Sequence, residues 1–139
     1  MNPMYTASAT VTKGGRTGHV ASSDGVLDLN LAMPKELGGS GGEGTNPEQL
    51  FAAGYASCFD SALNLVARQS KIRVKETKVT ADVSIGKDTD GGFKLSVSLE
   101  ISIPELDHET TKKLAEQAHH VCPYSKATRG NIDVSIKVV

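Results

Sequence analysis

Asn46-Pro47-Glu48-Gln49-Leu50-Phe51-Ala52-Ala53-Gly54-Tyr55-Ala56-Ser57-Cys58-Phe59 is the stretch that decides how this 139-residue chain folds. Asn46 suits an N-cap, Pro47 the first helical position, and Gln49 the third position of a capping box, so a helix starts here. From Gln49 to Phe59 no residue is charged. Leu50, Phe51, Ala52, Ala53, Tyr55, Ala56 and Phe59 surround the helix rather than stripe it, a pattern that predicts burial on nearly all sides. The continuation to Ser70 becomes amphipathic through Leu63, Leu65, Val66 and Ala67, and the polar run Arg68-Gln69-Ser70-Lys71 ends it.

The segment upstream alternates turn residues with short strand-like runs: Tyr5 to Thr12, Arg16 to Ser22 and Val26 to Leu31, a three-stranded meander. Leu27, Leu29 and Leu31 share one face of the third run, which is therefore expected to be buried. Gly38-Gly39-Ser40-Gly41-Gly42-Glu43-Gly44 reads as a flexible loop too short to divide domains, and as a mobile flap rather than a phosphate loop, since no Lys-Ser or Lys-Thr follows its last glycine. Downstream, Val79, Ala81, Val83 and Ile85, then Leu95, Val97, Leu99, Ile101 and Ile103, alternate as a hairpin joined across Gly86 to Gly92. Asp107 caps a helix from His108 to about Val121, and Ile132, Val134, Ile136 and Val138 form the last strand. The order βββ-α-ββ-α-β predicts an α+β fold, with antiparallel sheets packed on a long buried central helix and a second helix.

Composition narrows the function. Fifteen Lys plus Arg against sixteen Asp plus Glu give a formal charge of -1, with no basic cluster suited to nucleic acid. One domain spanning 1-139 is expected. The N-terminus lacks signal-peptide character and no stretch approaches the roughly 20 apolar residues of a membrane span, so a cytoplasmic location away from membranes is expected. Two cysteines without export signals do not make a structural disulfide framework, although a transient catalytic disulfide is compatible with that compartment.

The two thiols carry the chemistry. Cys58 lies inside the nearly charge-free helix, and Cys122 opens a Cys-Pro-Tyr-Ser turn beside a helix end. Phe51, Gly54, Tyr55, Ser61, Ala62 and Leu65 share the Cys58 side of the helix. Burial alone raises a thiol's pKa, whereas a cation lowers it and supplies the reactive thiolate. Arg16, after the Gly14-Gly15 turn, is the best candidate cation, and Glu48 in the first helical turn is the acid to hold it. Ten residues of straight helix place Glu48 about 15 Å from Cys58. Either the helix bends near Gly54, or Arg16 bridges part of the gap, or a second subunit supplies the pair. A site at a dimer interface is favoured, because an all-round apolar helix is hard to cover within one chain of this length.

Gly44-Thr45-Asn46-Pro47-Glu48-Gln49-Leu50-Phe51-Ala52-Ala53-Gly54-Tyr55-Ala56-Ser57-Cys58-Phe59 and Val121-Cys122-Pro123-Tyr124-Ser125-Lys126-Ala127-Thr128-Arg129-Gly130-Asn131 resemble the organic hydroperoxide resistance (Ohr) proteins of the OsmC/Ohr superfamily. The resemblance extends over Tyr5 to Leu31, including Arg16, and departs in the order of Ala56-Ser57. It implies an intertwined homodimer and a thiol peroxidase reducing alkyl and fatty-acid hydroperoxides. Cys58 would be the peroxidatic thiolate, Cys122 the resolving thiol, and Arg16 with Glu48 the activating pair. Phe51, Tyr55, Phe59 and Leu37 would line the apolar substrate site. No bound cofactor is implied, and dihydrolipoyl groups on lipoylated partner proteins would reduce the disulfide.

Plainer readings stand beside these. A lone helical Cys is usually a small core hydrophobe, Arg16 alone a solvated turn residue, and Glu48 alone a partner of the helix dipole. His119, His120 and the cysteines do not match a zinc site, since adjacent histidines diverge and the Cys spacing fits no finger. The competing functions are an OsmC-type peroxidase with broader peroxide use and a non-catalytic module binding a lipid or partner in its apolar groove.

Overall fold

A computed structural model describes residues 1–139, the surroundings of Gly15 excepted. The chain forms two compact units, Met1–Leu50 and Phe51–Val139.

In the first unit, β1 (Ala9–Thr12), β2 (His19–Ser22) and β3 (Asp28–Asn30) make an antiparallel sheet in that order. The meander is as expected, but its strands are shorter. Arg16 lies in a 3-10 turn, Gly15–Thr17, and not on a strand. The cause is local: Lys13 and Gly14 both take positive φ, 64° and 105°, which reverses the chain just before Arg16. Leu31 is buried, yet Leu27 and Leu29 are about two-fifths exposed, at 41% and 40%. The expected buried face of the third run is therefore corrected to Leu31, which lies just past β3 and bridges to Thr45. The glycine-rich loop is pinned at both ends, with Ala32 N–H donating to the Thr45 carbonyl at 2.9 Å and Thr45 N–H to that of Asn30 at 2.8 Å.

Helix α1 (Pro47–Gln69) begins in the first unit and continues through the second. The Asn46 side chain accepts from Gln49 N–H at 2.8 Å, as an N-cap should. The reciprocal half of the capping box is absent, because the Gln49 carboxamide oxygen accepts instead from the Thr45 hydroxyl at 2.9 Å. At the other end Lys71 adopts φ 59°, and Ile72 N–H reaches back to the Ala67 carbonyl at 2.9 Å, a Schellman closure.

Burial around α1 also differs from expectation. Tyr55, Phe59, Ala62, Leu63, Val66 and Ala67 form one buried stripe, while Ala53, Ser57, Ser61 and Leu65 are exposed. Much of the helix's uncharged face consists of small residues, whose burial contributes little per side chain. The Ser57 and Ser61 hydroxyls donate to the Ala53 and Ser57 carbonyls at 2.7 and 3.0 Å, so they need no outside partner. By length and composition α1 does reach what a membrane crossing requires, which corrects the expectation that no stretch approaches a span; its largest apolar side chains nevertheless sit in the core.

The second unit holds a three-stranded sheet, β4 (Lys78–Lys87), β5 (Phe93–Ser102) and β6 (Val134–Val138), with β5 central. The β4–β5 hairpin is antiparallel, with Val83 opposite Val97. The last strand pairs parallel to β5, Val97 opposite Val134, where an antiparallel sheet was expected. Parallel neighbours need a crossover. Helices α2 (His108–Val121) and α3 (Pro123–Thr128) provide it, α3 being a short element the periodicity did not reveal. Asp107 caps α2 as expected, accepting from Thr110 N–H at 2.7 Å. Val97, Leu99, Ile101 and Ile103, running from the central strand into its exit, meet the α1 stripe and Leu114, Ala115, Ala118 and Cys122 in one core.

Replacing Asn46→Ala removes the cap and is expected to cost about 1 kcal/mol, read as a lower urea midpoint with an unchanged m-value.

Candidate active site

Cys122 is where the crossover changes direction. Its N–H closes the last turn of α2 on the Ala118 carbonyl at 2.8 Å, and its own backbone is extended, φ -66°, ψ 121°. Pro123 forces that break: the residue before a proline is driven out of helical geometry, while proline itself is at home as the first residue of α3. The turn leaves the Cys122 side chain fully buried and its Sγ 3.4 Å from the Sγ of Cys58, with the Cys122 thiol donating. Both are free thiols, and Cys58 is half-exposed. Only roughly 1.4 Å of approach separates this contact from an S–S bond of ~2.05 Å.

Burial pushes the Cys58 thiol above its ordinary value, opposed by the Tyr124 backbone N–H, which favours the anion. Cys122 adds to the rise, since two sulfurs in contact cannot both carry charge. The depressed pKa expected of Cys58 is thus not produced by these neighbours, whose net effect is to raise it.

Around the same stretch of α1, the rings of Phe51, Tyr55 and Tyr124 form an edge-packed group with centroids 6.2, 6.5 and 5.8 Å apart. Gly54 makes room for it, because a Cβ there would stand 3.0 Å from the Tyr124 hydroxyl oxygen. Tyr124 is partly exposed and was not singled out in the sequence; its place directly after Cys122-Pro123 was the available signal. Of the candidate lining residues, Phe51 is half-buried, whereas Tyr55 and Phe59 are fully buried core side chains with no surface for a ligand in this state. Leu37 is half-buried at the end of a 3-10 turn in the first unit.

The first unit contains the other expected pair. Arg16 grips Glu48 with both arms of its guanidinium, Nη1 to Oε2 at 3.1 Å and Nη2 to Oε1 at 3.0 Å. This two-point contact fixes the plane of the arginine as well as its position. The bond from Arg16 holds the Glu48 carboxyl below the usual carboxylate range, against the opposing effect of burial, and the same bond raises Arg16 further. Among the described residues, no three His, Cys, Asp or Glu side chains converge as metal ligands would.

Fold and thiols together define an α+β protein with a two-cysteine site. The chain matches the OsmC-like protein family over residues 39–137. It is 53% identical to the organic hydroperoxide resistance protein of Xanthomonas axonopodis pv. citri, over 96% of this chain and 93% of the relative. The crystal structure of OhrB from Bacillus subtilis superposes with a TM-score of 0.91 at 48% identity, covering 99% of this chain and 100% of that one. An organic hydroperoxide resistance protein from Elizabethkingia anophelis, solved with thiocyanate bound, gives 0.93 at 54% identity, covering 99% and 98%. The chain belongs to the OsmC/Ohr family, in its organic hydroperoxide resistance branch.

Because its folded-state pKa is depressed, Glu48 contributes stability that is present above its unfolded value of about 4.3 and lost as pH falls through the folded value. Solvent around the partly exposed Arg16 reduces the size of this effect. In Arg16→Ala, carboxyl NMR titration should show Glu48 moved upward toward the ordinary range, and the acid limb of the stability curve should flatten.

Proposed function

We propose that this protein is a thiol peroxidase reducing organic hydroperoxides, and that its 139 residues act as one functional domain within a homodimer in the cytoplasm. The observation that carries the reading is the 3.4 Å contact between a half-exposed and a fully buried thiol. Structural disulfides are out of place in a reducing compartment, but two thiols in contact suit a bond that forms and breaks with each turnover. The names of the relatives, organic hydroperoxide resistance proteins, support the substrate class.

In this mechanism the Cys58 thiolate attacks the outer oxygen of ROOH. The O–O bond breaks, the alkoxide takes a proton and leaves as ROH, and Cys58 becomes a sulfenic acid. Cys122 then attacks the Cys58 sulfur and expels water, forming the disulfide. Two electrons from a dihydrolipoyl group on a lipoylated protein restore both thiols and release the cyclic lipoyl disulfide. Arg16, clamped by Glu48, is the cation that offsets burial and keeps Cys58 ionised, supplied by the same or the second subunit of the dimer. A thiol with an ordinary pKa near 8.5 is only a few per cent ionised at neutral pH, so lowering it about two units yields more than tenfold more nucleophile. Phe51 and Leu37, both half-buried, are the apolar side chains proposed to meet an alkyl or fatty-acyl tail.

Turnover of cumene hydroperoxide with dihydrolipoamide should vanish in Cys58→Ser; persistence at the normal rate would remove Cys58 from the reaction. Cys122→Ser should complete one reduction and stop at a sulfenic acid detectable by mass. In Arg16→Ala the Cys58 thiolate titration should move to higher pH, and an unshifted titration would exclude Arg16 as its activator.

A further inference from the structure

Beneath the two sulfurs lies a buried set of polar side chains that the proposed reaction does not use. The Tyr55 hydroxyl is 2.9 Å from the Ser125 hydroxyl and 3.1 Å from that of Thr128, and the Ser125 oxygen is 2.8 Å from His119 Nδ1. Tyr55 and Ser125 are fully buried, Thr128 nearly so. The Thr128 hydroxyl also contacts the Ser125 carbonyl at 3.2 Å, and a carbonyl can only accept. That one contact orients every proton in the chain. Thr128 donates to the carbonyl and accepts from Tyr55; Tyr55 accepts from Ser125; Ser125 accepts from His119 Nδ1–H. Each hydroxyl gives one proton and takes one, with no sense left for reversal.

The direction decides what the chain can do. It ends on a backbone carbonyl and touches neither sulfur, so it does not relay a proton to Cys58 or Cys122. Its geometry is that of a brace. Tyr55 precedes Cys58 by three residues on α1, and Ser125 follows Cys122 by three at the start of α3. The Tyr55–Ser125 bond and the Cys58–Cys122 contact are therefore two rungs between the same pair of elements, one helical turn apart. Arg129 ties the end of α3 to the last turn of α2, its Nη2 donating to the His119 carbonyl at 2.8 Å.

We propose that His119, Ser125, Tyr55 and Thr128 form a positioning brace that holds the Cys122 sulfur against Cys58, and that it governs disulfide formation far more than oxidation of Cys58. His119 anchors the outer end as the neutral Nδ1–H tautomer. Burial, with the nearby charges of Arg129 and His120, holds its pKa below the ordinary imidazole value, which keeps that form at neutral pH. Losing one buried hydrogen bond in such a chain leaves its neighbours unpaired, and a change near 1.4 kcal/mol corresponds to about tenfold in an equilibrium.

The proposal deepens the peroxidase reading, and the measurement that decides it needs no peroxide. The thiol–disulfide equilibrium of the full-length protein is measured in dithiothreitol redox buffers, for the wild type, Ser125→Ala, His119→Phe and His119→Asn. Ser125→Ala and His119→Phe should shift the equilibrium toward the dithiol by about tenfold. His119→Asn keeps an N–H near the Nδ1 position and should restore most of it, which a loss of mere packing would not. In a parallel arm with cumene hydroperoxide, the weakened variants should accumulate dimedone-reactive Cys58. An equilibrium within about twofold of wild type in His119→Phe, or no recovery in His119→Asn, overturns the brace. The His119 pair decides the matter even if Ser125→Ala does not fold. A wild type inert to cumene hydroperoxide would instead count against the peroxidase, with the redox-buffer result still deciding the brace.

Discussion

Parallel pairing of β6 with β5 is the constraint from which the site follows. A parallel neighbour cannot be reached by a hairpin; the chain must leave the sheet, cross and return. Here the crossover is made of α2 and α3, and the break between them falls on Cys122-Pro123. Because the crossover packs into the same core as the buried stripe of α1, the break carries a sulfur inward to meet Cys58. A proline that only stops a helix in the sequence becomes, in the fold, the device that aims a thiol.

Two electrostatic demands pull against each other at this site. Contact between sulfurs is best served by an apolar setting, where Cys122 can be fully buried, but the same setting disfavours the thiolate. Within the second unit burial prevails: the sulfurs are in contact and the Cys58 thiol is pushed up. Within the first unit, Arg16 and Glu48 fix one another through a two-point ion pair that keeps the carboxylate ionised. The buried hydroxyl chain adds a third element, polar but fully paired, so that it stiffens the α1–α3 junction without placing a free charge near the sulfurs.

Much of this was readable in one dimension, and the failures have physical causes. The α1 cap, the β4–β5 hairpin and the Asp107 cap of α2 are all local, and all appear where the residues put them. The pairing of Arg16 with Glu48 follows from the need of a buried thiol for a cation and of that cation for a counter-ion. Burial was read less well. Absence of charge on α1 predicts burial on every side, but Ala53 and Ser57 are small enough to be left uncovered. Tyr55 and Phe59 looked like lining because they flank Cys58 in sequence; their bulk instead takes them into the core. Alternation in β6 looks the same whichever way the strand runs, so its parallel direction left no mark.

Local choices are written in the order of residues: where helices start and stop, which strand faces are apolar, and which two residues can carry thiol chemistry. These depend on backbone propensity and on side chains within a few residues of one another. That Cys122 meets Cys58, that Ser125 meets Tyr55, and that α3 stands as a separate helix emerge only in three dimensions. Those outcomes depend on how a crossover returns over a sheet and where its turn lands, a global packing result that no short window of sequence contains.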